Sequence, residues 1–269
     1  MTEKTSRPVY GPRRRAPESP GKKPARKPWS GMPLAAHIAA RGSILMFGAL
    51  GAIAVFLHID RLPEGDKPWG EAVLDEGIGT FTYAHIAALR DDPTACFAAL
   101  DGSDMEFTPV EAPNRNVRAE CRVQSGVRIN RSNVDYGASP PEVASCALAA
   151  SIYVWEREVV SAAARDHLGA EVEEIIHYGT YSCRRVNNAQ SGRWSEHAGA
   201  NAIDIAGFRL SDGRRVMVTD WNSGDARSAF LRQVRDESCN LFRGVLGPDY
   251  NAAHHNHFHL DMGRWRICR

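Results

Sequence analysis

The chain has 269 residues, 43% apolar and 24% charged, enough for one sizeable globular domain and an appendage. The formal net charge of +1 hides a split: residues 1–42 carry ten Lys and Arg against two Asp and Glu, and the rest carries 23 against 30. The basic excess therefore belongs to a tail and not to a folded face, which argues against a nucleic-acid-binding domain.

Residues 1–34 are rich in Pro, Arg, Lys and Ser and hold too few apolar groups for a core, so they are expected to be a disordered basic tail. Residues 35–59 follow with a run from Ser43 to Ile59 that contains one His and no full charge. With Ala35–Ala40 upstream, the run approaches membrane-spanning length. No small-x-small cleavage site precedes Asp60, so the segment is read as an uncleaved single-pass anchor. The basic tail would stay in the cytoplasm, and everything after residue 60 would lie outside the inner membrane.

Six cysteines, Cys96, Cys121, Cys146, Cys183, Cys239 and Cys268, all follow that segment, and none forms a CxxC pair. This argues against a Cys-rich zinc finger and for three disulfides in an oxidising compartment, with 15 pairings open.

Residues 60–80 hold Pro63, Gly65, Pro68 and Gly70 and read as a linker ahead of a domain over 81–269. Tyr83–Arg90 reads as helical. Asp92-Pro93-Thr94 is a helix start, and Phe107–Val110 and Cys121–Ile129 are extended. Ser139-Pro140-Pro141-Glu142 predicts the start of a long helix that runs, bent or broken, to Leu168. Val216–Thr219 predicts a strand, Ala229–Arg235 a helix and Phe242–Leu246 an extended segment. The fold class expected is α+β, a small antiparallel sheet with flanking helices preceded by one transmembrane helix.

The chemistry concentrates in two stretches, 195–205 and 254–261. His257 and His259 are two apart, so a strand would put both imidazoles on one face with Phe258 and Leu260 on the other. Ile203 and Ile205 likewise bracket Asp204, and Gly199 is expected to let the chain turn so that His197 returns towards Asp204. Two histidines and one aspartate with water in the fourth position suit catalytic zinc, where a nearby histidine that is not a ligand can act as a general base; structural zinc closes its coordination with four protein ligands, and the residue types alone leave both cases open.

The His197-to-Asp204 interval of seven, combined with His257-x-His259, resembles the zinc peptidases of the M15-like D,D-peptidase superfamily. The longer context resembles the bacterial extensin-like C-terminal domain family. It comprises Tyr181-x-Cys183-Arg184, Ser195-Glu196-His197-Ala198, Asn201-Ala202-Ile203-Asp204-Ile205, Gly247-Pro248-x-Tyr250-Asn251 and His257-Phe258-His259-Leu260-Asp261, within residues 95–269.

The resemblance implies a D,D-peptidase-like zinc fold. It implies zinc ligands His197, Asp204 and His259, a catalytic His257, and an Arg184 that holds a substrate carboxylate. His254-x-x-His257-x-His259 also resembles the murein endopeptidase branch, which adds His254 to the candidate catalytic residues. Many relatives carry an acidic residue three positions before the last histidine, where this chain has Asn256. An amide is no general base, which puts that role on His257. The activity implied is hydrolysis of peptide amide bonds of peptidoglycan in the periplasm, with zinc as cofactor. The alternative is a non-catalytic wall-binding or structural domain on the same fold.

Overall fold

The structure, a computed structural model, describes residues 34–110, 118–123, 125–137, 141 and 143–269, with side chains from residue 41 onward. The basic tail expected over 1–34 lies outside the described residues except for Leu34. Helix α1 (Leu34–Asp60) contains a 20-residue stretch, Arg41–Asp60, long and apolar enough to cross a membrane. It is one candidate membrane-spanning helix.

The rest of the described chain builds a mixed α and β fold. Residues 61–80, read from sequence as a linker, pack onto it: Leu74 is buried in the core, and Asp75 accepts from Tyr153 Oη at 2.6 Å and pairs with Arg157 at 3.0 Å. Helices α2 (Thr82–Ala88) and α3 (Pro93–Asp101) follow, the second capped by Asp92, which accepts from Ala95 N at 3.0 Å. Three strands, β1 (Glu106–Val110), β2 (Gly126–Arg131) and β3 (Ala144–Ser145), form a small antiparallel sheet.

Of the expected helix start at Ser139–Glu142, only Pro141 lies within the described residues. The described helix α4 runs Cys146–Trp155 and is capped by Ser145, whose hydroxyl accepts from Leu148 N. Residues 144–145 are instead drawn into β3 by pairing with Gly126 and Val127. A π-helical turn over Glu156–Val160 joins α4 to α5 (Ser161–Leu168), so the helical run to Leu168 is interrupted. Every residue of α4 is buried, as a helix must be when both its faces meet protein. Trp155 lies at its end, against Phe208 and Phe242, and donates to Ser238 Oγ at 2.8 Å.

The main sheet uses β4 (Val172–Gly179), β5 (Ala202–Leu210), β6 (Arg215–Met217), β7 (Gly244–Leu246), β8 (Phe258–Asp261) and β9 (Ile267–Cys268). Its order is β4-β5-β8-β7-β9, with β6 also on β5. It is antiparallel except for β7 and β9, which run parallel, so the expected all-antiparallel sheet is corrected to a mixed one. Strand β6 ends at Met217, two residues before the predicted Thr219, because Val218–Asn222 winds into a 3-10 turn.

Helix α6 (Ala226–Ser238) packs on α5 and sends Phe230 edge-on against Phe208 of β5. One face of the sheet thus carries Ile203, Ile205, Phe258 and Leu260 into the core. The alternation along each strand sends Asp204 and His259 to the other face.

Three disulfides close the domain: Cys96–Cys146, Cys121–Cys183 and Cys239–Cys268. The first ties α3 to α4. The second ties the turn before β2 to the loop after β4, and the third ties α6 to β9.

Candidate metal centre

Asp204 on β5 lies directly across from His259 on β8, so their side chains share one face as a cross-strand pair. His197 comes from the 3-10 turn Glu196–Gly199 just before β5, whose first amides Ser195 caps. The residue that lets the chain reverse there is Ala200 in the left-handed region (φ 52°), and not the expected Gly199. The turn is closed by Ala200 N donating to His197 O, which places the sharp corner one residue further on.

His197 Nε2, Asp204 Oδ1 and His259 Nδ1 converge. Nε2 is 3.1 Å from each of the other two atoms, and Nδ1 is 2.9 Å from Oδ1. Ligands about 2.0–2.1 Å from a tetrahedral zinc lie roughly 3.3 Å apart, so this triangle is a slightly contracted zinc face. All three residues form a candidate His/Asp/His metal site.

The outward nitrogens strengthen the fit. His197 Nδ1 donates to Thr180 O at 3.0 Å, and His259 Nε2 donates to Asp261 Oδ2 at 3.0 Å. Each imidazole therefore has its far side held by an acceptor and its near nitrogen aimed inward, the arrangement that fixes tautomer and ring angle in metal sites. Asp261 has space for this because the residue opposite it on β7 is Gly244. A Cβ at 244 would meet Asp261 Oδ2 at 2.0 Å.

Without metal the same triangle is held by protons. Burial works against a charge on His259, but hydrogen bonds to Asp204 and Asp261 prevail and push it up to about 9. Burial raises Asp204, yet the bonds and charges of His197 and His259 hold it well below the usual carboxylate range. The ring of His259 is then an imidazolium between two carboxylates.

Two more histidines border the triangle. His257 precedes β8, with Nε2 3.7 Å from Asp204 Oδ1 and Nδ1 2.9 Å from Asn256 Oδ1. Asn256 in turn donates through Nδ2 to Tyr178 Oη at 3.4 Å, and the Tyr178 ring stands edge-on to His257. His254 stacks obliquely 5.2 Å from His257, and its Nδ1 donates to Asn251 Oδ1 at 2.8 Å. Burial, with the neighbouring His257 and His259 adding to it, lowers His254 to about 4; burial also lowers His257.

These residues open onto a cleft of about 550 Å³, whose lining also includes Arg184, Arg193, Trp194, Arg264 and Trp265. Arg184 is fixed by its neighbours. Cys183 is bonded to Cys121, Arg184 N donates to Ser182 O, and Arg184 O accepts from Ser195 N.

All six residues singled out in the sequence, His197, Asp204, His254, His257, His259 and Arg184, thus line one cleft. Sequence reading missed Thr180, Asn251, Gly244, Arg193, Arg264 and Trp265. Asn251 sits in a quoted motif and offered a signal as a cap three residues before His254. Gly244 offered none, since its smallness matters only against a residue on the neighbouring strand.

Residues 94–269 match the family described as extensin-like protein C-terminus. No curated protein and no solved structure matches the chain.

Proposed function

The chain belongs to the extensin-like protein C-terminus family, and we propose that it is a membrane-anchored zinc hydrolase that cleaves peptide amide bonds of peptidoglycan in the bacterial periplasm. The observation that carries the proposal is the donor triangle. Three ligand atoms face a cleft while every outward nitrogen is already held, and a further, non-ligating histidine stands beside them. Three disulfides suit an oxidising compartment, and α1 supplies a single candidate span.

His197, Asp204 and His259 would hold the ion. When bound, zinc supplies Lewis acidity, polarising a scissile carbonyl and making water more acidic. The chain's own residues arrange the proton traffic around that chemistry. Asn256 takes the Nδ1 proton of His257 as a hydrogen bond, which leaves Nε2 as the free acceptor facing the cleft. Asn251 does the same for His254. His257 is then placed to accept a proton as the amide is attacked and to return it to the leaving amine. Arg184 binds a substrate carboxylate through its guanidinium fork. Asn256 thus fills the acidic residue's place by orienting the base.

A second reading adds less to the same observations: a wall-binding or structural domain that holds a metal without hydrolysis. The amide at position 256 favours it, because Asn256 cannot itself take a proton. The family match and the donor triangle reach this reading on their own, and catalysis is the added step. Purified peptidoglycan incubated with the full chain, with and without chelator, separates the two. New amine termini that vanish with chelator and in His259→Ala support hydrolysis. Stoichiometric zinc with no cleavage of any wall peptide leaves the binding domain.

A further inference from the structure

The cleft extends beyond the donor triangle, and its cationic lining has a chemistry of its own. Arg184, Arg193 and Arg264 line it together with Trp194 and Trp265. Among the described residues none of the three guanidinium groups forms an ion pair with a carboxylate. The carboxylates that line the same cleft are already engaged. Asp204 is held by His197 and His259, Asp261 by His259 and Gly263 N, and Glu196 by Asn201 Nδ2 at 2.7 Å. Trp265 is 65% exposed, and the Arg193 guanidinium lies over its ring, 5.9 Å from the centroid. Three unpaired cations in a concave site, beside an open aromatic face, carry a cost in mutual repulsion that an anionic ligand would remove.

The geometry points to an anion-selecting subsite, formed by Arg193 and Arg264 beside Trp265, that recognises an acidic peptide segment carrying carboxylates beyond the one assigned to Arg184. The inference rests on the proposed function and narrows its substrate class: the peptide bears at least two carboxylates. Guanidinium forks match carboxylates in a plane, and the indole face packs the aliphatic part between them. A polyphosphate or nucleic acid fits less well. The residues after position 42 carry an acidic excess, which disfavours a long polyanion, and the cationic wall is confined to one cleft.

The test uses the full chain in phosphatidylcholine nanodiscs with chelator present, so that binding is read without hydrolysis. The probe is the peptide Ala-Glu-Glu-Ala, compared with Ala-Gln-Gln-Ala, and tripolyphosphate serves as the competing anion. The acidic peptide is expected to bind at least about tenfold tighter than the amide peptide at low salt. The double variant Arg193→Gln/Arg264→Gln should lose that preference, while Arg128→Gln/Arg215→Gln, at exposed positions outside the cleft, keeps it. Equal binding of the two peptides, an unchanged preference in the cleft double variant, or tighter binding of tripolyphosphate overturns the inference. A retained preference in a protein that cleaves no wall peptide would sink the hydrolase reading and leave the subsite standing. Cleavage without any acid preference would do the reverse.

Discussion

Metal binding at the triangle should be a proton exchange, and its size follows from His259. In the metal-free protein its imidazolium donates through Nδ1 to Asp204 at 2.9 Å and through Nε2 to Asp261 at 3.0 Å, with its titration pushed up to about 9. A metal can take Nδ1 only after that proton leaves, while the Asp261 bond survives. Below about pH 9 the apparent affinity should therefore rise roughly tenfold per pH unit, or about 30-fold from pH 7 to 8.5. The cost of displacing the proton at pH 7 is about 2.7 kcal/mol.

The sign for stability follows from the same shift. A histidine raised from its ordinary 6.5 to about 9 stabilises the metal-free fold below 6.5, and that contribution is lost as pH climbs through 9. Its size is on the order of 3 kcal/mol. Chelator-competition titrations with zinc at pH 7, 7.75 and 8.5, with calorimetry in buffers of different ionisation enthalpy, measure both the slope and the proton released. Thermal melts of chelated protein over the same range should fall, and melts of zinc-loaded protein should not. An affinity flat with pH, with no proton released, would refute the reasoning and remove the imidazolium from the metal-free site.

Gly244→Ala should weaken zinc binding about 10- to 100-fold without touching a ligand, because the new methyl displaces Asp261 from His259; chelator competition measures it. Asn256→Ala should leave zinc stoichiometry intact and lower kcat by about tenfold or more, through loss of the fixed His257 tautomer, as read by peptidoglycan cleavage and metal analysis side by side. Glu156 is fully buried on the π-helical turn, where burial raises it to about 7 against hydrogen bonds from Ser132, Tyr136 and Asn133. The folded state thus holds a proton that the unfolded state releases at about 4.5, so stability should fall by roughly 3 kcal/mol as pH rises from 4.5 past 7. Glu156→Gln should flatten that slope in denaturant titrations. Cys121→Ser/Cys183→Ser should cost about 4 kcal/mol by chain entropy for a 62-residue separation, and it should loosen the loop that holds Arg184; denaturant melts and peptide affinity report the two effects.

The donor triangle was legible in the sequence because its logic is local. His257-x-His259 and Ile203-Asp204-Ile205 alternate apolar with polar, and a strand has only two faces on which to place them. The pairing of Asp204 with His259 then needed only that the two strands be neighbours. What lay across the sheet was not legible: Gly244 opposite Asp261, or Thr180 O behind His197. The start of α4 at Cys146 was not legible for a related reason. Ala144 and Ser145 are taken by β2, a partner whose position no local pattern gives. The linker reading of 60–80 weighed prolines and glycines and could not see that Asp75 meets Tyr153 and Arg157.

Asn256 stands where many relatives carry an acidic residue, and its contacts define what an amide does there. An acidic residue there would both orient His257 and compete with it for protons. An amide only orients, since its Oδ1 accepts from Nδ1 and its Nδ2 is spent on Tyr178. The site therefore concentrates base function in the imidazoles and leaves the amide uncharged. The amide adds no further negative charge to a cleft that already holds Asp204 and Asp261, each bound to a histidine, and Glu196, bonded to Asn201 Nδ2. The unpaired arginines of the same cleft are then opposed by no carboxylate at 256 when an acidic substrate approaches. The amide at 256 and the unpaired arginines of the cleft thus act in one electrostatic direction, and replacing Asn256 with Asp should oppose it.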